Sequence, residues 1–151
     1  MDTKRITDIP GLMHLWKVDN LYLAGQPNDD SWEHIKQLGI KKVINLRGEG
    51  EQDFSNEKAM VADLGMEYSQ VPIMGTAGLD LEACRSLNSM IDTDGTHFIH
   101  CGTANRVAGW LITYLTTKRG MSFDDAVAVA EENGLSNAGF IEQAEDIISK
   151  L

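Results

Sequence analysis

The chain has 151 residues, 42% of them hydrophobic and 24% charged, which suits one domain with its own core and no disulfide or metal staple. Its 13 Lys and Arg stand against 23 Asp and Glu, a formal net charge of −10. That balance excludes a nucleic-acid binder or an anionic-membrane binder, whose phosphates are held by clustered cations, and leaves an anionic substrate only where a local positive site sits inside the negative field.

In chain order, Leu21 to Gly25 reads as a strand ending at a glycine turn before Pro27. Asp30 or Ser31 caps a short helix to Leu38, stopped by Gly39. Lys42 to Leu46 is a buried strand, followed by a loop from Arg47 to Asp53. A helix from Asn56 to Leu64 closes at Gly65, and Glu67 to Val71 forms the next strand before Pro72. Ile73 to Leu79 is a loop in which Met74 is placed to line a pocket. Asp80 caps a helix over Leu81 to Ile91, and Thr96 to His100 is the third inner strand. Helices follow from Asn105 to Arg119, from a cap at Ser122, and from Ala138 to Lys150.

Strands alternating with helices imply an α/β fold. We expect one domain over residues 1–151, a central and mainly parallel sheet with helices on both faces. Such sheets bind ligands at the carboxyl ends of their strands, where His100, Cys101 and Arg47 stand.

The two cysteines, Cys84 and Cys101, form no Cys-x-x-Cys pair. No apolar leader opens the chain, and no run nears the roughly 20 apolar residues that span a bilayer. A reducing cytoplasm, where a thiol stays free, is the expectation. Cys84 shares a helix with Leu81 and Leu87 and reads as core. Cys101 opens a six-residue loop, Cys101-Gly102-Thr103-Ala104-Asn105-Arg106, between a strand and an apolar helix. Unpaired amides and the helix dipole at such a place favour an anion. Gly102 and Ala104 let the backbone approach a ligand, Thr103 is the only hydroxyl within, and Arg106 brings a planar fork of donors. In that setting Cys101 is expected to be a thiolate nucleophile with its oxyanion donors in place. The plain alternative is a buried structural cysteine beside a surface arginine.

The segment His100 to Gly109, HCGTANRVAG, resembles the active-site loop of cysteine-based phosphatases of the dual-specificity and tyrosine-phosphatase class. It is most similar to the bacterial phosphatase-like family related to the beta-lactamase-hydrolase-associated domain. Val43 to Arg47 (VINLR), LYLAGQP at residues 21–27, and Gly65 to Tyr68 leading to Val71-Pro72 carry the same likeness, over about residues 18–138. The resemblance implies a dual-specificity-phosphatase-like fold and phosphomonoester hydrolysis without cofactor or metal. Its nucleophile falls on Cys101, and phosphate falls to Arg106 and the loop residues Gly102 to Asn105. A phosphorylated protein or a small phosphomonoester is the implied partner.

Two departures stand out. Four residues separate Cys101 from Arg106 where the family has five, and Val107 follows the arginine where the family has Ser or Thr. A six-residue loop also resembles that of rhodanese-type sulfurtransferases, which keeps a Cys101 persulfide as an alternative, beside a non-catalytic phosphate-binding module.

Cleaving an ester through cysteine needs a proton donor for the leaving group. In the family this acid precedes the nucleophile strand, where Asp80 is the only candidate and also a helix cap. Glu49, Glu51 and Asp53 leave the end of another strand, and Glu51 is the favoured member. Arg47 either adds positive charge at the mouth or pairs with Glu49 or Asp53. His100 is expected to be a buried, hydrogen-bonded residue that shapes the loop. Asn105 either bonds within the loop or starts the helix. His14 and His34 stand apart, so no metal site is expected.

Overall fold

The computed structural model describes residues 1–73 and 78–151. Met74 therefore lies outside the described residues. Six strands form one sheet: β1 (Thr3–Arg5), β2 (Leu15–Val18), β3 (Leu21–Ala24), β4 (Lys42–Asn45), β5 (Glu67–Gln70) and β6 (His97–His100). Their order across the sheet is β1-β2-β3-β6-β4-β5. The pairs β3·β6, β6·β4 and β4·β5 are parallel, as alternation with helices requires, so Ala24, Asn45, Gln70 and His100 end at the same edge.

β1 and β2 were not legible as strands in the sequence. β2 adds antiparallel to the edge at β3, with Leu15 opposite Ala24, and β1 adds antiparallel to β2, with Arg5 opposite Trp16. This reversal brings the start of β2 and the end of β1 to the carboxyl edge of the parallel strands. β1 is exposed throughout, so it lacks the alternation that marks a half-buried strand.

Helices cover both faces, giving three layers. On one side α1 (Trp32–Lys36) and α2 (Ser55–Asp63) bury Trp32, Ile35 and Val61 against Tyr22, Val43 and Phe98. On the other, α3 (Leu81–Met90), α4 (Asn105–Lys118), α5 (Phe123–Glu132) and α6 (Gly139–Ile148) enclose Leu23, Ile44 and Ile99. The residues of β6 alternate between these cores. Phe98 lies beside Trp32 with ring centroids 5.9 Å apart, and Ile99 faces α4. The fully buried Trp110 stacks on Tyr114 at 5.3 Å and donates Nε1–H to Asn88 Oδ1 at 2.8 Å, which satisfies its one polar atom.

The helix caps follow local chemistry. Asp80 accepts from Ala83 N at 3.2 Å, and Ser122 accepts from Asp125 N at 3.2 Å. At α1 the expectation fails in detail: the Ser31 hydroxyl bonds Pro10 O at 2.7 Å and does not cap the helix. Among the described residues, no helix is long and apolar enough to cross a membrane.

Candidate active site

β6 ends at His100, so Cys101 opens the loop at the sheet's carboxyl edge. Its N–H bonds Ala24 O at 3.1 Å, and its side chain is buried on the α3–α6 side. Gln26 N donates to Gly102 O at 3.1 Å, and a bridge between Gly25 and Thr103 holds the loop against the end of β3. Ala104 then turns through a left-handed conformation, φ +73°, and its carbonyl accepts the first bond of α4 from Ala108 N at 2.9 Å. This left-handed residue curls the chain into a ring short enough for four intervening residues. Among the described residues, the N–H groups of Gly102, Thr103, Asn105 and Arg106 find no protein acceptor. They cluster at the start of a helix, where partial positive charge is concentrated.

The amides do not bond the sulfur itself. The Arg106 guanidinium is held above its ordinary pKa chiefly by Glu51, against the effect of burial, with the charge of Cys101 adding to it. Arg106 Nη1 also donates to Ile73 O at 3.0 Å, so the side chain is clamped over the loop.

Glu51 meets Arg106 end on. Its Oε2 accepts from Nη1 at 2.9 Å and its Oε1 from Nη2 at 2.7 Å. Gly48 N at 2.8 Å and Arg47 Nε at 3.2 Å complete its partners. Arg106 above all, with help from Gly48 and Arg47 and against burial, lowers the Glu51 carboxyl from 4.5 to about 2. Both carboxylate oxygens are thus engaged by guanidinium and amide donors. This geometry favours a positioning contact with the arginine over the general-acid role expected for Glu51 from the sequence. The end-on contact leaves Arg106 Nε without a protein partner among the described residues, a donor still open to an anion.

Arg47 pairs with Glu51 and with neither Glu49 nor Asp53, and its Nη1 donates to Gln26 Oε1 at 3.0 Å. Asp80 lies at the same edge of the sheet, at the start of α3, with Oδ2 committed to its cap. Thr103 turns outward and accepts from Asn105 Nδ2 at 3.2 Å. Asn105 does more than either role foreseen for it. Its Oδ1 accepts from Ser136 N and Asn137 N, both at 2.8 Å, which joins the loop to the segment between α5 and α6.

Beneath the loop, the sequence expectation for His100 holds and acquires a partner. His100 is fully buried, with Nε2 2.8 Å from Glu57 Oε2. Tyr68 donates its hydroxyl to the same oxygen at 2.7 Å, and Gln26 Nε2 donates to Oε1 at 2.7 Å. Burial alone raises the Glu57 carboxyl, but the bonds from His100, Tyr68 and Gln26 outweigh it and bring the value below the ordinary one. The same burial and the Glu57 charge push the Tyr68 phenol up, keeping it a donor. Sequence reasoning missed Glu57, Tyr68 and Gln26. Glu57 lies 43 residues from His100 on a helix of mixed polarity, so no local pattern marks it. Cys84 is buried core, as expected, and burial pushes its thiol up to about 12. Among the described residues, no group of three His, Cys, Asp or Glu is placed to hold a metal ion.

Comparison with known proteins places this geometry. No family model matches the chain. It is 28% identical over 92 residues to a beta-lactamase hydrolase-like protein of Xylella fastidiosa, and 27% identical over 92 residues to one of Agrobacterium fabrum. Each alignment covers 58% of this chain but 21% of the relative, so the match spans about a fifth of the length of these proteins. Among solved structures, Tk-PTP superposes with a TM-score of 0.78 at 15% identity, covering 91% of this chain and 95% of that one. A DUF442 protein from Shewanella putrefaciens gives 0.72 at 19%, covering 95% and 94%. TpbA of P. aeruginosa, solved in complex with pTyr, gives 0.70 at 16%, covering 94% and 91%. The chain thus has the fold of cysteine-based phosphatases of the dual-specificity type.

Proposed function

We propose that this protein hydrolyses phosphomonoesters through a cysteinyl-phosphate intermediate on Cys101. The observation that carries this reading is the set of unpaired amides at Gly102, Thr103, Asn105 and Arg106 beside a guanidinium that Glu51 holds by its far end. Amides and guanidinium together match the equatorial oxygens of a transferring phosphoryl group. In the first step the Cys101 sulfur attacks phosphorus, the ester bond breaks, and the leaving oxygen takes a proton. In the second, water attacks phosphorus and the sulfur departs with the S–P electron pair. Val107 offers no hydroxyl to the departing sulfur, so the amides and Arg106 carry that stabilisation alone.

Asp80 is the acid we propose. It sits at the start of α3, after β5 has left the sheet at its carboxyl edge, and among the described residues its carboxylate is engaged only through Oδ2, by the helix cap. TpbA in complex with pTyr and PTPMT1 in complex with PI(5)P share the fold, and a phosphomonoester is the class their ligands have in common. No step assigns work to a metal, so activity is expected to survive EDTA.

The test compares wild type with Cys101→Ser on p-nitrophenyl phosphate, with thiosulfate plus cyanide as a parallel arm. Release of nitrophenol by wild type and its loss in the variant support the proposal. Thiocyanate production with no nitrophenol would replace it with sulfur transfer. Equal rates for both proteins in both arms would end the catalytic reading.

A further inference from the structure

A groove of about 550 Å³ runs along the flank of the loop opposite Glu51. Thr103 and Asn105 form its inner side, so it begins two residues from the nucleophile. One wall comes from the antiparallel strands that the sequence did not reveal. There the His14 and Trp16 rings stack with centroids 6.0 Å apart, and the Arg5 guanidinium lies 4.8 Å over the Trp16 ring. The other wall comes from the end of α5, with Glu131 and Glu132, and from Ser136 beyond it. The floor is closed where Trp16 packs against Gly134, so closely that a Cβ there would lie 3.1 Å from the ring.

Arg5 lies over Trp16 and donates to Met13 O at 3.4 Å, but the charges of this groove are not neutralised by ion pairs. Among the described residues no ion pair joins Arg5 to Glu131 or Glu132, and neither glutamate pairs elsewhere. Two walls of opposite sign, beside an anion cradle, match a ligand with both signs close to its ester. A simple aryl phosphate uses neither wall. A phosphorylated residue inside a peptide presents neutral amides at these positions.

Resting on the phosphatase reading, we propose that this groove is a subsite for small zwitterionic phosphomonoesters, of which a free phosphoamino acid is the simplest. Its ammonium faces Glu131 and Glu132, its carboxylate faces Arg5, and its connecting ring or chain lies along His14 and Trp16.

The experiment measures kcat/KM of wild type on O-phospho-L-tyrosine and on N-acetyl-O-phospho-L-tyrosine amide, with p-nitrophenyl phosphate as the reaction control. The free amino acid is expected to exceed the blocked form by roughly fivefold to tenfold, as two partly exposed charge contacts allow. Arg5→Gln and Glu132→Gln are each expected to bring that ratio towards one. Equal constants for free and blocked forms, with nitrophenol still released, would overturn the subsite and leave the phosphatase standing. Turnover of none of the three would remove the phosphatase reading. Calorimetric binding of the two tyrosine compounds to Cys101→Ser then decides the subsite, equal affinities or no binding of either overturning it.

Discussion

At the scale of single residues, Glu51 shows how position changes the meaning of a side chain. The sequence offers it as an acid because it leaves a strand end beside the nucleophile. Its actual partners are four donors, two of them on Arg106, and they hold it ionised. Its folded pKa, about 2, lies below the unfolded value of 4.5, so its contribution to stability is fully present above 4.5 and is lost as the pH falls through about 2. Thermal melts of wild type and Glu51→Gln are therefore expected to converge in that window, and a constant gap down to pH 2 would refute the pairing. In activity, Glu51→Gln is expected to cost roughly tenfold to a hundredfold in kcat/KM, the scale of a misplaced catalytic group. An unchanged kcat/KM would deny it the orienting role. Cys101, Arg106 and the loop were legible because their chemistry lies within six consecutive residues. The Glu51–Arg106 contact was not, because it spans 55 residues and depends on how two strand ends converge.

Among the elements, two helix positions carry predictions that separate structure from chemistry. Asp80 caps α3, and asparagine caps nearly as well, whereas alanine does not. Asp80→Asn is expected to keep the melting temperature while slowing esters of poor leaving groups far more than p-nitrophenyl phosphate. Asp80→Ala loses about 1 kcal/mol of stability as well. Equal slowing of all esters by Asp80→Asn would remove it as the acid. Glu57 ties α2 to β6 and β5 through His100 and Tyr68, in a buried setting. Glu57→Ala strands both partners and is expected to cost on the order of 3 kcal/mol in denaturant unfolding, with Glu57→Gln costing clearly less. Equal losses would make the carboxylate's charge and bonds irrelevant. The parallel core was readable from apolar runs such as Val43 to Leu46, and the helix limits fell within a residue or two. β1 and β2 escaped because an exposed edge strand writes no periodicity, and β2 holds Trp16 and Lys17 half-buried between Leu15 and Val18.

Over the whole molecule, the net charge of −10 opposes the approach of a phosphate dianion, and Arg106 and Arg47 set local positive charge against it. Screening then helps the encounter. The value of kcat/KM for p-nitrophenyl phosphate is expected to rise between about 0.01 and 0.15 M salt, as the screening length falls from about 30 to 8 Å. A steady fall over that range would mean that the local cations outweigh the global field.

Asn105 gives the architecture a mechanical consequence. One carboxamide grips Ser136 and Asn137, 31 and 32 positions further along the chain, so the last two helices brace the ring that surrounds the sulfur. Damage at the far carboxyl end, in a segment with no reacting atom, would be felt as slackness in the nucleophile's collar.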